Sequence, residues 1–83
     1  TFGIGYRSVT QGRMPRLTSG QVVRVLSRNG FVLISQRGSH QKWRNNSTHR
    51  QVIVPVHGAR TLAIGTLRAI IEGSGIPIDS FRQ

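Results

Sequence analysis

This 83-residue chain has two carboxylate side chains, Glu72 and Asp79, and no cysteine. Each scarcity excludes a class of chemistry. Two-metal hydrolases hold their ions with several Asp and Glu side chains, and glycosidases need a facing pair of carboxyl groups. Two acids on or beyond the last expected helix build neither. Without cysteine there is no disulfide framework, no thiolate metal site and no thiol nucleophile, which suits a reducing, cytoplasmic location. No apolar run approaches the ~20 residues that span a bilayer, so no membrane is expected among the partners.

What the chain has instead is positive charge. Twelve Lys and Arg residues give a formal net charge of +10 and a sequence pI near 12.0, which points to a polyanionic partner. The charge is uneven: residues 14–50 hold seven basic side chains and no acid, whereas residues 51–83 hold three basic and both acidic ones. The partner-facing surface therefore draws on the first half of the chain. Neutralising several phosphates would make its binding strongly salt-dependent. Basic surfaces also meet membranes and acidic proteins; nucleic acid is the favoured reading.

The length suits one small domain with a single core. Residues 1–13 are rich in Gly, Ser and Thr without sustained periodicity, and Met14-Pro15-Arg16 reads as a translation start. The first 13 residues are expected to be a cloning remnant, an upstream in-frame extension or a flexible arm outside the fold. They lack the continuous apolar core of a signal peptide.

From residue 18 onward the periodicity is informative. Thr18 or Ser19 can cap a helix, with Gln21 three residues after Thr18 as a capping box requires. Val22, Val23 and Leu26 fall at helical spacing and Asn29-Gly30 closes the element, predicting a helix over about 18–29. Phe31 to Ser35 reads as a well-buried strand ended by Gly38. A second strand spans His40 to Arg44, with His40, Lys42 and Arg44 on one face and Gln41 and Trp43 on the other. After the turn cluster Asn45-Asn46-Ser47-Thr48, a third strand runs from Gln51 to Val56, with Val52, Val54 and Val56 sharing a face and Pro55 suggesting an edge or a strand terminus. Leu62, Ile64, Leu67, Ile70 and Ile71 form a second amphipathic helix that Gly73, Gly75 and Pro77 terminate. Asp79-Ser80-Phe81 adds a short turn whose Phe81 packs back. The expected class is α+β: α-β-β-β-α, a three-stranded antiparallel sheet with both helices on one face.

The candidate chemistry centres on Arg37-Gly38-Ser39-His40. With carboxylate-held metals disfavoured, phosphodiester cleavage by the substrate's own nucleophile remains. RNA carries a 2′-hydroxyl beside each scissile phosphate and DNA does not. An imidazole can take that proton near neutral pH, while cations stabilise charge on the phosphorane. His40 is the candidate acid or base; the competing reading is a strand-start histidine that only hydrogen-bonds a turn. Lys42 and Arg44 share its expected face and would bind phosphate, or would form an ordinary solvated face. Arg37 could reach the same phosphate or point to solvent. Gly38 either permits a special backbone conformation or simply breaks the strand, and Ser39 completes the candidate RNA-contacting set without a partner that would make it a nucleophile. His57 could supply a second proton transfer, although a loop-capping role is favoured, and His49 is expected to be exposed. Histidines 40, 49 and 57 lack the spacing of a zinc motif, so neither a metal nor a cofactor is expected. Trp43 could stack on a base, but the alternation favours the core.

Five blocks in order, Ser19-Gly20, Asn29-Gly30-Phe31, Gly38-Ser39-His40, Val54-Pro55-Val56-His57-Gly58 and Gly65-Thr66-Leu67-Arg68, resemble the HicA family of bacterial toxins. The resemblance runs from about Met14 to Ile76 and gives residues 14–83 as the toxin domain. It implies a double-stranded-RNA-binding-like fold, an endoribonuclease that cuts mRNA (an mRNA interferase), and a cognate HicB-type antitoxin. It also implies that the catalytic histidine is His40, with Gly38 needed in the turn before it. The first helix lacks the acidic residues commonly interspersed in the family. A non-catalytic RNA-binding module of the same fold is the alternative.

Overall fold

The computed structural model describes residues 14–82; the expectation for residues 1–13 lies outside them. The described elements are α1 (Ser19–Arg28), β1 (Phe31–Arg37), β2 (His40–Asn45), β3 (Gln51–Pro55), α2 (Ile64–Ser74) and a 3-10 turn (Ile78–Phe81). The sheet is antiparallel in the order β1-β2-β3. This is the α+β, double-stranded-RNA-binding-like arrangement that the sequence predicts.

Helix α1 starts where its capping box forms. The Gln21 N–H donates to Thr18 Oγ1 (3.3 Å) and the Thr18 N–H donates to Gln21 Oε1 (2.9 Å), which satisfies donors that the first turn cannot use internally. Its inner face is Val22, Val25 and Leu26, with Val23 only partly buried beside them; the expected set had placed Val23 there instead of Val25. Asn29 closes the helix, its side chain donating to the Val25 carbonyl at 2.8 Å. Asn45 then ties this end to the sheet, donating to the Asn29 carbonyl at 2.9 Å while accepting from the Ser47 and Thr48 N–H groups.

Alternation splits the sheet into two unlike faces. Phe31, Trp43, Val52 and Val54 enter the core with Val22, Val25 and Leu26 of α1, Leu67, Ile70 and Ile71 of α2, and Phe81. Trp43 is therefore a core residue, its indole N–H donating to Gln41 Oε1 at 3.0 Å; burial with that donor satisfied leaves no ring for a base. The opposite face carries no helix among the described residues.

Two further expectations fail. β1 is not a well-buried strand: Val32, Leu33 and Ile34 are 48%, 45% and 45% exposed. It lies at a sheet edge, and apolar composition alone cannot tell a central strand from an edge strand. Ile64 is exposed as well, because α2 begins only there and its inner face starts at Leu67. Leu62, by contrast, is buried ahead of the helix, where its N–H donates to the Leu17 carbonyl at 2.8 Å. Gly75 ends α2 in the left-handed region at φ 72, and Arg50 crosses to donate to the Gly73 carbonyl (3.4 Å) near that helix end. No helix among the described residues is long and apolar enough to cross a membrane.

Candidate nucleic-acid interface

The open face of the sheet is organised around a two-residue hairpin. Gly38 and Ser39 form the loop, and Arg37 and His40 are direct cross-strand partners. Gly38 has φ 57, whereas Ser39 is not among the positive-φ residues, the pattern of a type II′ hairpin turn. Among the described residues, nothing beyond its own chain neighbours lies within 4 Å of where a Gly38 Cβ would sit. The glycine is thus required by the backbone angle and not by crowding. The Ser39 carbonyl accepts from the Val56 N–H at 2.7 Å, which fastens the turn to the end of β3.

Side-chain direction follows from the register. His40, Lys42 and Arg44 alternate with core-facing Trp43 and so share the open face. Simple alternation from buried Phe31 would send Arg37 to the helix side. It does not go there, because the register shifts between Leu33 and Ser35: Leu33 pairs with Trp43, Ser35 with Lys42, and Ile34 is an extra residue. That β-bulge reverses the phase of the strand, and Ser35 and Arg37 join the open face.

Arg37, His40 and Lys42 line one concavity together with Ser35, Gln36 and Ile53. His40 is exposed, and its ring has no hydrogen bond among the described residues. The sequence leaves Arg37 open between the phosphate site and solvent; the structure brings it together with His40 and Lys42. Arg44 shares the face but stands apart: its Nε donates to Asn46 Oδ1 (3.2 Å) and its Nη2 to His49 Nδ1 (3.1 Å). Its guanidinium therefore serves the β2–β3 turn first. His49 is exposed as expected and adopts φ 64.

His57 is also exposed, two residues beyond Pro55, the β3 partner of His40. It lines a different concavity, with Pro55, Arg60, Thr61, Leu62, Ala63 and Thr66. Ser35, Gln36 and Ile53 were not singled out from the sequence. The alternation of β3 about Val52 and Val54 could have placed Ile53 on this face, but the bulge that places Ser35 has no sequence signature. Among the described residues no group of three His, Asp or Glu side chains converges to hold a metal ion.

The model of the family described as HicA toxin of bacterial toxin-antitoxin matches residues 19–76. The chain belongs to the HicA toxin family. The matched span of this HicA toxin opens at the first residue of α1, covers all three strands and closes just after α2, so the whole His40 face lies inside it. Comparison with curated proteins finds no match.

Proposed function

We propose that this HicA toxin is a metal-independent endoribonuclease that cuts mRNA in the cytoplasm and so inhibits translation, with His40 as general acid or base. The observation behind this reading is the Arg37–His40 pair on an open, basic face, sharing one concavity with Lys42. His40 takes the proton of the substrate's 2′-hydroxyl, whose oxygen bonds to phosphorus. The bond from phosphorus to the 5′-oxygen breaks, and that oxygen takes up a proton from an imidazolium or from water. The products are a 2′,3′-cyclic phosphate and a 5′-hydroxyl. Arg37 and Lys42 offset the charge that gathers on the phosphorane oxygens, while Gly38 and Ser39 hold the histidine at the strand end. A HicB-type antitoxin is the partner that restrains the toxin, by presenting acidic side chains to this face.

One observation favours the alternative, a non-catalytic RNA-binding module: no hydrogen bond among the described residues orients the His40 ring. In the enzymatic reading the bound phosphate does the orienting. Induction of the wild-type chain and of His40→Ala, each without antitoxin, separates the two. The enzyme predicts growth arrest and mRNA loss with wild type only, and RNA binding retained by both proteins. Equal toxicity from the variant rejects catalysis by His40.

A further inference from the structure

β1 has the composition of a central strand and the position of an edge strand. Three consecutive residues, Val32, Leu33 and Ile34, are nearly half exposed, and among the described residues β1 pairs with β2 alone. Its free backbone groups follow from the ladder. The Asn45 N–H donates to the Arg50 carbonyl and the Val56 N–H to the Ser39 carbonyl, so His40, Lys42 and Arg44 turn their backbone groups toward β1. Their partners Arg37, Ser35 and Val32 are thereby satisfied. Leu33 and Gln36 point their N–H and C=O groups outward, where no described element pairs with them. An unpaired, apolar edge is a template for another strand.

Charge decides which strand. The adjoining open face holds Arg37, His40, Lys42 and Arg44 and no acid. Asp79 is already bonded to Arg82 at 2.7 Å. A second copy would add another +10 beside this edge, and residues 1–13 bring Arg7 and Arg13 without a carboxylate. The Ile34 bulge further discourages indiscriminate flat pairing.

We infer that the outer edge of β1 accepts a strand from an acidic partner protein, which covers Leu33 with an apolar side chain and sets a carboxylate beside Arg37. Strands lie about 4.8 Å apart, so that carboxylate is within reach of the guanidinium and withdraws it from RNA. The inference rests on the toxin–antitoxin reading only in assigning this partner the role of restraint.

The test is amide hydrogen exchange on the full chain with a short synthetic peptide alternating valine and glutamate, against a valine–lysine counterpart. The Leu33 and Gln36 amides should exchange at least about tenfold more slowly with the acidic peptide only, and Leu33→Lys should weaken its binding by about tenfold. RNA cleavage by Leu33→Lys should stay at the wild-type level without peptide. Four results overturn the inference: no protection, equal protection by the lysine peptide, protection at Gln51 and Ile53 on the β3 edge instead, or slow Leu33 and Gln36 exchange in the free chain. The last result would assign the edge to a second copy if it tracked dimer formation, or to residues 1–13 if their removal abolished it. Absent RNA cleavage with intact peptide protection would sink the nuclease reading and leave this one standing.

Discussion

Arg37 faces His40 across the two-residue Gly38–Ser39 turn, and the extra residue Ile34 in β1 reconciles that pairing with a buried Phe31. Without the bulge a strand of this length would put Phe31 and Arg37 on the same face, so one of the two would be misplaced. Deleting Ile34 removes the bulge but preserves the Leu33–Trp43, Ser35–Lys42 and Arg37–His40 pairs. That variant should fold and cleave RNA within a few-fold of wild type. Arg37→Ala should lose activity with little loss of stability, whereas inserting one alanine after Ser35 forces a second extra residue between Phe31 and the turn and should lower the melting temperature. Cleavage rates and thermal melts of the three variants, side by side, check the account.

The salt response separates cations that touch RNA from those that do not. Arg37→Ala and Lys42→Ala should each lower the slope of log affinity against log salt by about 0.7, as expected for one lost phosphate contact on a single strand. Arg44→Ala should change the slope less, because its guanidinium is engaged by Asn46 and His49. RNA titrations at several salt concentrations give all three slopes.

Gly38 should tolerate size but not handedness. With open space around it and φ 57, Gly38→Ala should destabilise by about 1–2 kcal/mol. Gly38→Asn should lose less, since asparagine enters the left-handed region more readily. Thermal melts of both variants test this ordering.

The core should respond far more sharply than the open face. Leu67 is fully buried between α2 and the sheet, so Leu67→Ala leaves a cavity and should cost about 2–5 kcal/mol. A chain this small has a total stability of order 5–15 kcal/mol at most. Denaturant titration of Leu67→Ala beside Ile53→Ala, whose side chain is exposed, gives the contrast.

The helices, the strand order and the faces of β2 were legible because capping chemistry and strict alternation are local signals. Thr18 with Gln21 marked a helix start, and Trp43 between Lys42 and Arg44 told inside from outside. The exposure of β1 was not legible. Val32-Leu33-Ile34 reads the same whether a strand is covered by this chain or by another molecule. The bulge was equally hidden, since an extra residue in a ladder depends on what the partner strand offers. Arg37 could therefore be suspected of joining His40 but could not be assigned to its face.

The central claim is that His40 activates the ribose hydroxyl of RNA. The direct measurement is to incubate a defined RNA with wild-type and His40→Ala protein in EDTA and to identify both new ends. The account predicts 2′,3′-cyclic phosphate and 5′-hydroxyl ends from wild type and none from His40→Ala. A 5′-phosphate on the downstream fragment, or undiminished cutting by the variant, would contradict it.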